Sequence, residues 1–257
     1  MTYQDRHIYW VSGQDALPFL QGVLSNSVMS LQGADGLLWA ALLNPQGKYL
    51  SDMFIGRVQG QLICDLSSAQ AEASIKRLTM YRLRADVQFL LQDWGMVAGV
   101  GTVPNGAFAD PRHPALGWRI YGPKNQLPAL QAVDWDMLRV QHLIPQAGIE
   151  LIENDSYLLE MGFERLHGVD FRKGCYVGQE VTARMKHKTE LRKGLARVAL
   201  SGPVPLGTAI ENEGKEVGRI YTQAGGYALA YLRFDRTSEL MQAAGQTVTV
   251  APQLTLD

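Results

Sequence analysis

The most informative stretch of this chain is the segment Lys173-Gly174-Cys175-Tyr176-Val177-Gly178-Gln179-Glu180. Glycines stand one residue before and three residues after Cys175, so the backbone around the thiol can turn tightly and approach a ligand closely. Arg172 and Lys173 place positive charge beside the thiol, and Glu180 is typical of the first turn of a helix. Nearby cations and a helix N-terminus both favour the thiolate form of a cysteine. The segment therefore predicts a reactive or ligand-forming Cys175. The alternative is a loop cysteine that packs as a small hydrophobic side chain.

Positive charge is concentrated around this segment. Nine Lys or Arg residues and three acids lie between Arg165 and Arg197, a net charge of +6, whereas the whole chain carries −1. A basic segment on an acidic body indicates an anionic ligand or partner, and a solvated linker is the alternative. The nearly balanced net charge of the chain disfavours general binding to nucleic acid, and no specific nucleic-acid partner is expected.

Composition favours a folded protein in a reducing compartment. Hydrophobic residues make up 46% and charged residues 19% of the 257 residues, enough for a sizeable core. No apolar run approaches the roughly 20 residues that span a bilayer, and the N-terminus lacks signal-peptide features, so we expect no membrane partner. Two cysteines, Cys64 and Cys175, supply neither a disulfide framework nor the four ligands of an iron–sulfur cluster. These features predict a reduced, cytoplasmic protein.

Upstream of this segment, Gly and Pro residues separate stretches that are predicted to form antiparallel strands and helices. Strands are expected at 36–43 and 49–58, joined by a turn at 44–47 in which proline presets φ and glycine accepts positive φ. Helical spacing predicts helices from 67 or 68 to about 81 and from 135 to about 142.

Downstream of Lys193 the pattern changes to short strands separated by Gly and Pro. Five such strands over about 60 residues indicate a small barrel or sandwich. They are expected at 195–200, 207–210, 216–222, 227–232 and 247–250. We therefore place a domain boundary near Leu191.

The segment 173–180 resembles the signature of the YgfZ-like proteins, which are folate-binding iron–sulfur cluster assembly or repair factors. They are related to the aminomethyltransferase (T-protein) of the glycine cleavage system. Three further stretches are similar to family segments: 19–26, 43–48 and 81–84. The resemblance implies an α+β fold. A T-protein-like body of two interleaved subdomains, built around antiparallel sheets, would span 1–190, and a small C-terminal β-barrel would span 191–257.

Ligand and site residues follow from the same resemblance. It implies tetrahydrofolate or a derivative as the cofactor, with Cys175 and Lys173 in the catalytic role and no permanently bound metal. Folate needs an aromatic wall, a few amide or carboxylate contacts and basic residues. The implied folate-binding residues are Trp135, Asp52, Tyr176, Gln179 and Glu180.

Two of these residues have an alternative interpretation. Trp135 matches a tryptophan that lines the folate site in relatives, but a helix residue anchoring core packing would look the same. The T-protein carries paired aspartates where this chain has Ser51 and Asp52, and Asp52 could equally face solvent. Losing one carboxylate weakens an aminomethyltransferase interpretation, because general acid–base work needs a positioned carboxylate. His167, His187 and Cys175 match no compact zinc pattern.

Three functions are therefore compatible with the sequence. The leading one is a tetrahydrofolate-binding accessory factor for iron–sulfur cluster assembly or repair that uses Cys175. Its partners would be folate and, transiently, iron–sulfur client or carrier proteins. The second is a tetrahydrofolate-dependent aminomethyl or one-carbon transferase. The third is a regulatory interaction protein with a vestigial folate site.

Overall fold

The computed structural model describes residues 5–129, 132–187 and 191–252. They form two compact units, the first made of residues up to 133 together with 164–181, the second of 134–163 together with residues from 182 onward. The boundary predicted at 190/191 adjoins residues 188–190, and residue 190 lies outside the described residues. The predicted division into 1–190 and 191–257 stays a prediction.

The first unit is built on two antiparallel sheets and two helices. Its elements follow in the order β1 (Arg6–Ser12), α1 (Ala16–Val23), β2 (Gly36–Leu43), β3 (Tyr49–Val58), β4 (Gln61–Ser67), α2 (Ser68–Tyr81), β5 (Gln88–Leu91), β6 (Trp94–Gly99), β7 (Phe108–Ala109) and β8 (Trp118–Pro123). One sheet has five strands in the order β2-β3-β4-β1-β5, and the other has three in the order β6-β8-β7. Both sheets pair antiparallel throughout.

The main core of this unit lies between the larger sheet and the helices. Leu20 of α1 and Leu78 of α2 belong to the same buried cluster as Met53 of β3 and Cys64 of β4. Burial of these apolar faces is the main stabilising contribution, at about 25 cal/mol per Å². Cys64 is therefore a core residue.

The turn between β2 and β3 forms for the reason its sequence predicts. The Asn44 side chain accepts hydrogen bonds from the backbone N–H groups of Gln46 and Lys48, both at 3.0 Å. Gly47 has φ +74°, a conformation that glycine adopts without strain. This Asx-type turn fixes the end of the hairpin at a defined position.

The second unit combines two helices with a closed barrel. Its elements are α3 (Trp135–His142), α4 (Gln179–His187, which begins in the first unit), β9 (Lys193–Leu200), β10 (Ala209–Asn212), β11 (Lys215–Ala224), β12 (Tyr227–Arg233), β13 (Met241–Ala243) and β14 (Gln246–Val250). The barrel runs in the order β10-β11-β12-β9-β14-β13 and closes on itself. Alternating side chains of β9 point inward, and Val198 lies in a core with Ile220, Ala230 and Val248.

The predicted fold class is confirmed. The chain is α+β, with a body built around antiparallel sheets followed by a C-terminal β-barrel. The helix predicted at 135–142 coincides with α3, and the strands predicted at 36–43 and 49–58 coincide with β2 and β3. The three-residue strand β13 was not predicted, since so short a strand has no alternating pattern to detect.

Candidate functional site

The Cys175 thiol is exposed in a short loop just before α4. The helix begins at Gln179, as the sequence predicts, and Glu180 lies in its first turn. We call residues 173–178 the cysteine loop. Tyr176 of this loop is buried, Gln179 is half-buried and Glu180 is exposed. The cysteine loop thus presents the thiol outward while its aromatic neighbour anchors it.

Lys173 holds the cysteine loop from inside. Its Nζ donates hydrogen bonds to the backbone carbonyls of Gln21 (2.6 Å), Leu24 and Asn26 (3.1 Å), at and just beyond the C-terminal end of α1. Carbonyls at a helix C-terminus lack intrahelical partners, so an ammonium there meets both their hydrogen-bonding need and the negative end of the helix dipole. The same Nζ lies 4.9 Å from the centre of the Tyr176 ring. Burial lowers the pKa of Lys173 to about 8, an effect that the charge of Asp170 partly opposes.

Residues just before the cysteine loop are tied to the same stretch of chain. The Ser25 hydroxyl donates to the carbonyl of Gly168 (2.6 Å), and the Asn26 amide donates to the carbonyl of His167 (2.7 Å). The backbone N–H of Asp170 donates to the carbonyl of Ser25 (3.1 Å). Residues 167–173 therefore lie against residues 21–26 through a set of directed hydrogen bonds.

The other side of the cysteine loop rests on the β2–β3 turn. A Cβ at Gly178 would lie 2.6 Å from the carbonyl oxygen of Asn44, and a Cβ at Gly47 would lie 2.7 Å from Cβ of Val181. Gly178 also has φ +80°. No side chain fits at either position without displacing backbone, so the glycines are required for the two turns to meet.

Three of the four stretches that carry the family resemblance therefore meet at the cysteine loop. They are 19–26, 43–48 and 173–180. The fourth, 81–84, lies at the C-terminal end of α2. The sequence indicated these stretches one by one. It could not show that residues 19–26 and 43–48 support residues 173–180.

Asp52 is buried, and both of its carboxylate oxygens are occupied. The Trp39 indole donates to Oδ2 (2.7 Å), and the Tyr49 hydroxyl donates to Oδ1 (2.6 Å). Burial and the neighbouring Asp52 charge raise the pKa of Tyr49 well above its usual value, so the phenol remains a donor. The alternative of a solvent-facing Asp52 is wrong, because this side chain is a structural acceptor in the core.

Trp135 is the first residue of α3, in the second unit, and is half-buried. Asp134 caps the N-terminus of this helix, and its side chain accepts from the N–H of Met137 (2.9 Å). One turn on, the fully buried Arg139 donates to Glu150 (2.5 Å) and to the hydroxyl of Thr222 (2.9 Å) on β11. Arg139 thereby fixes the helix that carries Trp135. No pattern in the sequence indicates that an arginine would be the buried anchor.

A cleft of about 520 Å³ in the first unit adjoins the segment that leads into the cysteine loop. It is lined by Asn26, Leu38, Pro111, Glu164, His167, Val169, Asp170, Phe171 and Arg172. The lining combines a phenyl ring, an imidazole, an amide, two carboxylates and a guanidinium. None of the predicted folate-binding residues lines this cleft. The sequence missed it because its residues come from distant parts of the chain.

Residues 5–129, 132–187 and 191–252 contain neither a cluster of metal-ligating side chains nor a helix that could span a membrane. No group of three or more His, Cys, Asp or Glu side chains there is arranged to hold a metal ion. Among the same residues, no helix combines the length and the hydropathy that crossing a membrane requires.

Comparison with known proteins gives a family. Residues 192–254 match the family model described as the CAF17 C-terminal beta-barrel domain. Over 88% of its length the chain is 32% identical to the mitochondrial iron–sulfur cluster assembly factor IBA57 of Homo sapiens, covering 75% of that protein. The Mus musculus protein is 30% identical over 89% of this chain and 75% of its own length. The chain belongs to the IBA57 family of iron–sulfur cluster assembly factors.

The length of the match varies among IBA57 relatives. The homologue of Mycosarcoma maydis is 28% identical over 78% of this chain but only 57% of its own length. The chain spans between about half and three quarters of the length of the curated relatives it matches. Among solved structures, the glycine cleavage system aminomethyltransferase T of Bartonella henselae superposes with a TM-score of 0.75 at 15% identity, covering 96% of this chain and 83% of that one. At that identity the likeness shows the fold alone.

IBA57 membership decides two of the predictions made from sequence. The predicted connection with iron–sulfur cluster assembly agrees with the family, whereas folate binding stays a prediction. The predicted cytoplasmic location is wrong, since the curated relatives are mitochondrial proteins by name. The reason is physical: two unpaired cysteines indicate a reducing environment, and several compartments provide one.

Proposed function

We propose that this protein acts in iron–sulfur cluster assembly by presenting the Cys175 thiolate to a cluster shared with a partner protein. The observation that carries the proposal is an exposed thiol on a well-supported loop. Hydrogen bonds of Lys173 and close packing against the β2–β3 turn hold this loop in place. Cluster ligands must be held in place with little freedom, and this loop has that property. Membership in the IBA57 family supports the same role.

Ligation rather than redox chemistry is the proposed step. As the Cys175 sulfur donates an electron pair to iron, the thiol proton leaves to solvent and another iron ligand is displaced, so no oxidant or reductant is required. One thiolate cannot hold a whole cluster, so the remaining ligands come from the partner. The partner is an iron–sulfur client or carrier protein that binds transiently.

Complementation with paired cysteine variants tests this function. In cells that lack their own IBA57-family protein, the wild-type chain and Cys64→Ser should restore the activity of enzymes that contain four-iron clusters. Cys175→Ser should not, although it reaches the same protein level. Full complementation by Cys175→Ser would show that the cysteine is structural and would contradict the proposal.

We further propose a reduced folate as ligand of the body. The cleft beside the cysteine loop supports this, because Phe171 offers a ring for the pterin, Asn26 and the carboxylates offer partners for its edge, and Arg172 offers a cation for the glutamate tail. Bound there, tetrahydrofolate would supply a one-carbon carrier or a reductant. Trp135 in the second unit stays the other candidate for the pterin wall.

Binding titrations separate the two places. Phe171→Ala or Trp135→Ala should weaken tetrahydrofolate binding by about 1–3 kcal/mol, the usual cost of losing an aromatic ligand wall. Phe234→Ala, which removes an exposed aromatic ring from the second unit, is the matched control. Unchanged affinity in both test variants, each shown to be folded, would exclude folate from both places.

A further inference from the structure

The stretch at the end of α2 is the one family-like stretch that plays no part in the cysteine loop. Two large apolar side chains are exposed there: Met80 to 63% and Leu83 to 87%. Leu83 is the most exposed of the large apolar side chains that the structure describes. Solvated leucines are common singly, but this one has a conformation that makes it unusual.

Leu83 adopts φ +48°, just after the C-cap residue Arg82. This left-handed position at a helix end favours glycine or asparagine, because a Cβ there is strained. Leu143, after α3, has a similar φ of +55° but is half-buried, so its packing offsets the strain. Leu83 gains no such packing. A glycine would fold better at this position, and the chain carries an exposed leucine instead.

The sequence around the two apolar side chains is mainly basic, although Glu72 and Asp86 lie just beyond its two ends. From residue 73 to 85 the sequence contains Lys76, Arg77, Arg82 and Arg84 and no acid. Lys76 lies one turn before Met80 on α2, so the two are neighbours on one side of the helix. Arg82 is committed to the carbonyl of Val87 (2.6 Å). Lys76, Arg77 and Arg84 form no ion pair with any residue that the structure describes.

We propose that Lys76, Met80, Leu83 and Arg84 form a docking surface for an acidic, amphipathic segment of a partner protein. Leucine side chains of the segment would cover Met80 and Leu83, and its carboxylates would face the unpaired cations. Charge complementarity favours this occupant over a neutral or basic one. The inference goes beyond the cluster role of Cys175 and does not depend on it.

Substitution of Leu83 by glycine separates docking from folding. Leu83→Gly removes the exposed side chain and relieves the strained backbone, so its urea midpoint should equal or exceed that of the wild type. Gln59→Gly, at an exposed position of the same unit with φ +51°, is the backbone control. Leu206→Ala removes a side chain that is 61% exposed elsewhere and is the apolar control.

The probe is a fluorescently labelled helical peptide of leucine and glutamate, whose anisotropy is measured with the full chain. Leu83→Gly should weaken binding about tenfold or more, as expected when a leucine is no longer covered. Arg84→Glu should weaken it too, and the two controls should not. The same peptide with lysine in place of glutamate should fail to bind.

Several results would overturn the proposal. One is equal peptide binding by Leu83→Gly, and another is a urea midpoint below that of the wild type, which would assign Leu83 to the fold. Single-stranded DNA that binds as tightly and ignores Leu83→Gly would show a purely electrostatic surface. Self-association of the wild type that Leu83→Gly abolishes would show that a second copy covers it.

Discussion

At the scale of single residues, the cysteine loop depends on a lysine whose role its sequence neighbours do not reveal. Lys173 is two residues from Cys175, and the sequence predicts that its charge acts on the thiol. In the structure the ammonium is turned inward, onto three carbonyls at the end of α1. Those partners are about 150 residues away along the chain, beyond the reach of any local pattern. Lys173 is thus a positioning residue for the loop.

Replacing Lys173 tests this positioning role. Lys173→Met keeps the aliphatic stem but leaves buried carbonyls without a donor, which should lower the free energy of unfolding by about 2–3 kcal/mol. Amide exchange in residues 171–178 should rise with it. Arg172→Met is the matched control, since that neighbouring side chain is 96% exposed. Equal stability of the two variants in urea would contradict the assignment.

The two cysteines should differ sharply in reactivity. Cys64 is fully buried in the core, and burial raises the pKa of its thiol well above the usual range. Cys175 is exposed. Native protein treated with iodoacetamide should therefore carry the label on Cys175 alone, and unfolded protein should carry it on both, as peptide mass spectrometry would show. Label on Cys64 in the native state, or none on Cys175, would contradict this.

At the scale of elements, much of the architecture could be predicted from the chain. The turn at Asn44–Gly47 was predictable because its hydrogen bonds are local. The barrel strands were predictable because Gly and Pro residues separate them. The meeting of that turn with the cysteine loop was not predictable. It depends on Gly47 and Gly178, which are far apart in sequence and need to be glycine only because the two turns touch.

A half-buried acid of the second unit, Glu160, makes the stability of the fold depend on pH. Glu160 of the second unit accepts a hydrogen bond from the Tyr231 hydroxyl (2.6 Å) on β12. Desolvation raises the pKa of Glu160, although Tyr231 and Lys193 oppose the shift. A raised pKa means that ionisation costs the folded state more than the unfolded one. The stability linked to Glu160 is therefore present at acid pH and is lost as pH rises through its folded pKa.

Glu160→Gln should remove this cost while a carbonyl oxygen still accepts from Tyr231. We expect the variant to unfold at higher urea than the wild type at pH 7, and the two to converge below about pH 4, where the carboxyl is protonated in both states. Glu211→Gln, at an exposed position on β10, is the control. A variant less stable than the wild type at pH 7 would show that the attraction of Lys193 outweighs desolvation.

At the scale of the whole molecule, the first unit joins its two sheets through buried charge. Asp65 of β4 accepts hydrogen bonds from Arg6 (2.5 Å) and from Arg119 of β8 (3.2 Å). Arg119 also donates to Asp110 (2.9 Å), which binds Arg112 as well (2.8 Å). The Arg119 guanidinium lies 3.6 Å from the centre of the Phe54 ring. Sequence patterns place charged residues on surfaces, so this network could not be predicted.

Removing one carboxylate from this network should cost far more than breaking an exposed pair. Asp110→Asn leaves two buried guanidiniums with too little negative charge, and breaking a buried pair in this way typically costs about 3–5 kcal/mol. Asp93→Asn breaks the pair with Lys124, in which Asp93 is 90% exposed, and should cost about 0.5 kcal/mol or less. Urea unfolding of both variants measures the difference, and equal losses would contradict a stabilising network.

The stability of the wild type at acid pH should depend on the same network. The Arg112 and Arg119 guanidiniums hold the pKa of Asp110 far below its usual value, against the effect of its burial. A lowered pKa contributes stability that is fully present above about pH 4 and is lost as pH falls toward the folded pKa. Between about pH 4 and pH 2 the wild type should therefore lose stability more steeply than Asp110→Asn, which has no carboxyl to protonate there. Parallel curves for the two proteins would mean that the charge of Asp110 does not stabilise the fold.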